Sequence, residues 1–368
     1  MPQAMTIDIV KELIKSYSAG HRRFVRESKA AERYYENKND ILFGIGKNRD
    51  NDPLRNADNR IPRNFHGLLV NQKAAYMFSA PPLFDVGNEK VNRQIADLLG
   101  DKYAKVCKDL CIKASNCKVA WLHYWKDDDG QWKYGVIDPK QITPVYSADL
   151  DRQLDAVLRN YKTRDVIDGK AIYVWEYWTA EKCYVYKKKS SSISETGLEP
   201  YNVYELTGSP DESVEQTNVF EHGFGEVPFI PFYNNNIPTD DLTNIKLLSD
   251  AYDKVFSGFL NDLEDTQEII FILTNYGGQD LKSFIAELKE YKAIKVETDG
   301  AGGSGGVEAL TISIPIEARE KFLEITRKAI FEQGMGVDPD PQKFGNTSGE
   351  ALKYLYSLLE LKAGLMET

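Results

Sequence analysis

From residue 7 to residue 35 apolar side chains return every three or four positions. Ile9, Val10, Leu13, Ile14 and Tyr17, then Phe24 and Val25, form one face, and charged residues fill the other. That period predicts an amphipathic helix. Residues 63–78 predict a second helix, stopped by Ala80, Pro81 and Pro82. Residues 88–117 predict a third. Residues 37–59 are polar and rich in Gly, Asn and Asp, which predicts a loop with a short apolar piece at Ile41–Phe43.

The period then shortens to two. Residues 119–124 and 132–137 flank Asp127-Asp128-Asp129-Gly130, a β-hairpin signal, because Asp-Gly accepts the positive φ of the turn. Further strands are predicted at 142–146, 156–161, 172–178 and 184–187, where tryptophans concentrate as on a half-buried sheet. Residues 190–196 are a Ser-rich loop, and 211–216 are polar and exposed. Residues 227–232 (VPFIPF) are apolar but Pro-punctuated, which suits an edge strand or an extended connector better than a central strand.

The last third returns to the helical period. Leu242, Ile245, Leu248, Tyr252, Val255, Phe256, Phe259 and Leu263 fall on one face of a stretch running from 241 to about 273. A β-patterned, Gly-rich excursion follows at 293–314. Pro315 then opens a helix at N1, with Glu317 in its first turn. A Pro/Gly loop occupies 334–347. Thr347-Ser348-Gly349-Glu350 is a capping box for a final helix whose apolar face is Leu352, Leu355, Tyr356 and Leu359. A helix that leaves, makes a small lobe and returns is an unusual plan for an enzyme. It is a natural plan for one stave of a ring around a channel.

Composition narrows the picture. The 368 residues carry 56 acids against 46 bases, a net charge of −10, so the chain lacks the basic excess of a general nucleic-acid binder. If it meets DNA, it holds it loosely. Hydrophobic content of 42% supports folded domains with a real core. No apolar run approaches a membrane span. The first twenty residues contain Asp8, Lys11, Glu12 and Lys15, so they lack a signal-peptide core. A reducing cytoplasm is the simplest compartment.

Candidate chemistry is sparse. Gly300-Ala301-Gly302-Gly303-Ser304-Gly305 satisfies G-x-G-x-x-G, and Val307 extends it. A dinucleotide site needs a helix after that run, and here the following segment is β-patterned, which favours a flexible loop tip. Cys107, Cys111 and Cys117 have no histidine in zinc-site register and read as helical core, leaving Cys183 apart. His21, His66, His123 and His222 are scattered. Asp127–Asp129 lacks the spaced ligands of a calcium loop. No catalytic, metal or cofactor site is predicted.

Three stretches resemble tailed-phage portal proteins of the siphophage type. The first is Asn59-Arg60-Ile61-Pro62-Arg63-Asn64, followed by Val70-Asn71-Gln72-Lys73, Tyr76 and Pro82. The second joins Val227–Asn236 to Leu248-Ser249-Asp250-Ala251-Tyr252-Asp253, then Ser257, Asn261, Asp262 and Glu264. The third is Gly345-Asn346-Thr347-Ser348-Gly349-Glu350-Ala351-Leu352-Lys353, then Leu359-Glu360-Leu361-Lys362-Ala363. They occur in the family's order. The chain departs from the pattern at Asn71, where the family often has Asp, and at Ser79, near which it often has Gly.

The resemblance implies an α+β portal fold. Residues 1–240 are expected to form a wing of helices plus sheet, 241–273 and 315–334 the stem helices, and 274–314 a small β-containing clip. A tunnel loop would occupy 335–347, and the helix at 348–368 would close the wing and tunnel, with the C-terminal crown reduced or absent. It implies stem residues Tyr252, Val255, Phe256, Phe259, Asn261, Asp262 and Glu264. It implies partner-docking positions Glu297, Asp299, Gly300, Gly302, Gly303, Gly305 and Val307 on the clip. It places Lys343, Phe344, Asn346 and Thr347 at the DNA channel. Lys343 reads either as a surface lysine or, repeated around a ring, as a basic belt. The family forms a homo-oligomeric ring, commonly of twelve, at a capsid vertex. Implied partners are double-stranded DNA, the terminase large subunit, capsid and scaffolding proteins and a head-completion adaptor, with no membrane and no cofactor. The virion is then the location, after assembly in the host cytoplasm. Two alternatives stand beside it: another ring-forming head–tail connector, and a nucleotide-binding enzyme using the Gly-rich run.

Overall fold

The computed structural model describes residues 3–44, 57–80, 82–127, 129–165, 169–189, 197–202, 204–205, 216–265, 270–274, 306–310, 314–339 and 349–367. The chain divides into two compact units. One comprises residues 1–38, 64–247 and 328–368, and the other residues 39–63 and 248–327.

The first unit holds α1 (Gln3–Tyr35), α2 (Phe65–Met77), α3 (Glu89–Leu99) and α4 (Tyr103–Cys117) ahead of its sheets. The single helix expected at 88–117 is two. Gly100, at φ +62°, takes a backbone conformation that other residues avoid, and its N–H closes α3 on the Ala96 carbonyl. Strands β1 (Val119–Lys126) and β2 (Trp132–Ile137) form the expected hairpin, with Gly130 at φ +72°.

Next come β3 (Ile142–Tyr146), β4 (Leu154–Arg164), β5 (Ala171–Trp178) and β6 (Lys182–Lys188). Short pieces follow: β7 (Glu199–Pro200), β8 (Tyr204–Glu205), β9 (Gln216–Thr217) and β10 (Val219–Glu221). Strand β11 (Phe229–Tyr233) pairs antiparallel with β1 at the edge of a three-stranded sheet, order β11-β1-β2. This is where its Pro231 is tolerated. A six-stranded sheet runs β10-β6-β5-β4-β3, with β7 also on β6.

The alternation of side chains builds two cores. In β5, Ile172, Val174 and Trp178 face a cluster shared with Trp121, Ile137 and Phe229 of the smaller sheet. Trp175 and Tyr177 point the other way, toward Val10 and Ile14 of α1. Cys183 and Val185 against Tyr184 and Tyr186 repeat the division in β6. Helix α4 packs Leu110 and Ala114 against Ala120. All four cysteines are buried free thiols.

Helix α5 (Lys246–Asp265) is shorter than expected at both ends. Leu242 and Ile245 are buried in the turn before it. Ile270–Thr274 is not helical but a strand, β12, antiparallel to β13 (Gly306–Leu310). The run Ile270-Phe271-Ile272 is β-branched and aromatic, which the sheet accommodates better than a helix. Helices α6 (Ile316–Gln333) and α7 (Gly349–Glu367) match the two predicted last.

Candidate functional site: two polar anchors

In the second unit, α5 is met by an extended strap, residues 57–63. Asp253, Ser257, Asn261 and Asp265 recur every four residues and so share one helix face. Each accepts one backbone N–H, and the donors are every second residue of the strap. Arg63 N donates to Asp253 Oδ1 (2.9 Å) and Ile61 N to Ser257 Oγ (3.0 Å). Asn59 N donates to Asn261 Oδ1 (2.6 Å) and Ala57 N to Asp265 Oδ1 (2.9 Å). The match is geometric. Four helical residues rise about 6 Å and two extended residues about 6.6 Å, so the repeats stay in step over four rungs. Pro62, which has no N–H, falls on the unused register.

Side chains reinforce the ladder. Asn59 Nδ2 reaches Asn261 Oδ1 (2.9 Å) and Glu264 Oε2 (2.7 Å). Asn39 Nδ2 bonds Asp253 Oδ2 (2.6 Å) and the Arg63 carbonyl (3.1 Å), and the Arg63 guanidinium lies 4.3 Å from the Phe256 ring centroid. Arg319 of α6 pairs with Asp262 and lies 5.6 Å from the Phe259 ring, tying the two helices together. Burial raises the Asp253 carboxyl to about 6, against the pull of Asn39 and the Arg63 N–H. Of the predicted stem residues, Asn261, Asp262 and Glu264 are thus ladder or helix-tying groups. Tyr252 is buried, and Val255, Phe256 and Phe259 are half-buried.

In the first unit, two lysines share one carboxylate. Asp241 Oδ2 lies 3.1 Å from Lys362 Nζ and 3.8 Å from Lys73 Nζ. Asn234 binds both signs, accepting from Lys73 Nζ (2.6 Å) and donating to Asp241 Oδ1 (2.8 Å). Lys362 also donates to the Gly334 carbonyl (3.0 Å). Gln72 brackets Val337, donating to its carbonyl (2.6 Å) and accepting from its N–H (3.0 Å). Burial opposes the charge on Asp241, but Lys362, Lys73 and the Asn234 bond outweigh it and hold its carboxyl well below the usual range. Burial likewise lowers the Lys73 ammonium, with Asp241 opposing. A cavity of about 50 Å³ adjoins the cluster. These groups fix the Gly334–Val337 turn between α6 and α7.

Lys343, Phe344, Asn346 and Thr347 lie outside the described residues, as do Glu297, Asp299, Gly300, Gly302, Gly303 and Gly305. Val307 is placed in β13, opposite Leu273 of β12. The Gly-rich run is therefore followed by a strand, not by the helix a dinucleotide site requires. Among the described residues no His, Cys, Asp or Glu cluster suits a metal ion, and no helix is long and apolar enough to cross a membrane. Sequence reasoning gave no role to Gln72, Lys73, Asn234, Asp241 or Lys362. The four-residue spacing of Asp253, Ser257, Asn261 and Asp265 was a readable signal for a polar helix face.

The profile of the SPP1 Gp6-like phage portal proteins matches residues 14–368. A portal protein of Clostridium phage phiCD119 is 43% identical over 379 residues, covering 99% of this chain and 79% of that relative. The portal protein of Bacillus phage SPP1 is 29% identical over 347 residues, covering 91% of this chain and 65% of the relative. The match takes in both anchors and the segments between them, and the chain belongs to the SPP1 Gp6-like family of phage portal proteins.

Proposed function

We propose that the chain is the repeating subunit of a ring at one capsid vertex, through which double-stranded DNA enters during packaging and leaves at ejection. Family membership supports the channel role. The observation that carries the subunit reading is the fate of the resembling stretches. Residues 59–63 and 253–264 meet in one ladder, and Lys73, Asn234 and Lys362 meet in one anchor. Among the described residues, those of the resembling stretches named here are thus invested in holding helices and a turn in fixed positions, as a scaffold requires.

In this reading α5 and α6 are stem helices, the β12–β13 pair belongs to the clip, and residues 335–347 form the tunnel loop. The ring holds twelve copies joined by heterologous contacts. The terminase large subunit supplies the motor, capsid and scaffolding proteins surround the ring, and a head-completion adaptor docks at the clip. The protein itself catalyses nothing. Excess acid keeps DNA contacts weak, so the duplex slides. Negative-stain images and mass photometry of purified protein test this. The expected outcome is closed rings of about a dozen subunits. Symmetric dimers as the only assembly would sink the reading.

A further inference from the structure

Two apolar surfaces of the first unit stand open among the described residues, although Phe84 of one keeps a ring contact with Tyr103 (centroids 6.0 Å). One is a knob. Leu83 is 92% exposed, Phe84 51%, Val86 57% and Leu98 51%, and none of α3 is buried. The knob is nonetheless built. Asp85 Oδ1 accepts from Gly87 N (2.9 Å) and Asn92 Nδ2 (3.0 Å), Asn92 Oδ1 accepts from Val86 N (3.0 Å), and Asn88 caps α3. Its polar groups are spent on fixing the turn that displays its apolar ones. The other surface is a groove of about 970 Å³, walled by Tyr17 and Phe24 of α1, Tyr146, Phe232, Tyr233 and Met366. No residue of the knob lines it.

We propose that the knob of one subunit seats in this groove of the next, with Phe84 as the buried anchor. This inference rests on the ring reading and names the surfaces that close the ring. A closed ring needs two different, complementary patches on every copy, which is what the knob and groove supply. Charge agrees with shape. In a chain of net charge −10, no acidic residue lines the groove among the described residues, and its one cation of fixed charge is Arg152. At the tip of the knob Asp85 flanks Phe84, while Glu89 pairs with Arg93 (3.8 Å) and Lys90 stands beside it. A preformed knob also loses little conformational freedom on docking.

Photo-crosslinking tests the assignment. Phe84→benzoylphenylalanine is introduced into the full chain, half of it isotope-labelled, and assembled rings are irradiated, denatured and digested. Mixed-label adducts are expected on peptides containing Tyr17–Phe24, Tyr146–Arg152 or Phe232–Asn236. A gel should show a ladder beyond the dimer, because each copy is both knob and groove. In parallel, Phe84→Asp and Arg152→Glu should each lower the ring fraction at fixed concentration several-fold, with Phe84→Asp the larger. Both residues are exposed in the subunit, with Phe84 touching Tyr103 and Arg152 lying over the Tyr146 ring, so urea midpoints should move far less than the ring fraction. Rings whose adducts fall elsewhere, stay within one chain, stop at the dimer or do not form overturn the groove assignment and leave the ring reading standing. Wild-type protein that forms no ring overturns both.

Discussion

At the scale of single residues, two buried carboxylates face opposite electrostatic problems. Asp241 has two ammonium groups and an amide for company, so its folded form prefers ionisation. Its contribution is present above the unfolded carboxylate value and is lost only as pH falls through the lower folded value. Asp241→Asn leaves Lys73 and Lys362 buried beside a neutral group. It should cost about 3–5 kcal/mol, read as a lower urea midpoint, the usual penalty for stranding a buried charge. A midpoint shift below about 1 kcal/mol would mean the lysines find other acceptors. Asp253 is the reverse case. Burial and nearby Asp250 raise its folded carboxyl to about 6, above the unfolded value, while Asn39 and Arg63 oppose. The folded state therefore holds the proton more tightly, and the stability this gives falls as pH rises from about 4 to about 6 and then stays flat. The buried histidines His66 and His123, held below their ordinary value by burial, slope the other way as pH falls. The informative quantity is hence a difference. The wild-type minus Asp253→Asn stability should fall between pH 4.5 and 6.5, and a pH-independent difference would refute the assignment.

At the scale of elements, the turn Gly334–Val337 shows why a glycine pair sits between two helices. A Cβ on Gly336 would lie 2.0 Å from Leu69 Cδ2 and 2.9 Å from Gln72 Oε1, and Leu69 is only 1% exposed. The backbone of the turn passes where a side chain would need to be. Gly336→Ala should cost about 1–3 kcal/mol by overpacking, with Leu69→Ala in the same chain recovering part of it. Additive losses in the double variant would place the strain elsewhere. This close approach was invisible in the sequence, where the segment reads only as a Pro/Gly loop. Helices α1, α2 and α6, the hairpin and the edge strand were legible because each depends on local period and turn chemistry. The break at Gly100 was missed because the apolar period continues across it, with Leu98 and Leu99 before the glycine and Tyr103 and Val106 after. Helix α5 was read as too long because Ile270–Leu273 fits a buried helix and a buried strand equally well, and pairing with β13 decides it. The ladder was half-legible. The helix face could be read from its spacing, but a strap 190 to 208 residues away in sequence cannot be inferred from period alone.

At the scale of the whole molecule, charge decides how DNA is met. A subunit of net charge −10 and a duplex carrying one phosphate per about 1.7 Å repel each other, so attraction inside the proposed ring has to come from a few placed cations. Lys343, beside Phe344 in the proposed tunnel loop, is the candidate the sequence offers. In the tunnel-loop reading its role is confined to DNA, so Lys343→Ala should leave ring size and urea midpoint unchanged. Its effect should appear in DNA alone. The slope of log binding constant against log salt should flatten by about 0.9 for each phosphate no longer neutralised, and the DNA retained by packaged heads should fall several-fold. Lys343→Arg, which keeps the charge, should keep most of both. If Lys343→Ala changes neither slope nor retention, the lysine is an ordinary surface residue. If both Lys343→Ala and Lys343→Arg lose retention with the slope intact, the side chain acts by shape rather than charge. Only a defect rescued by arginine and erased at high salt supports a basic belt in an acidic channel.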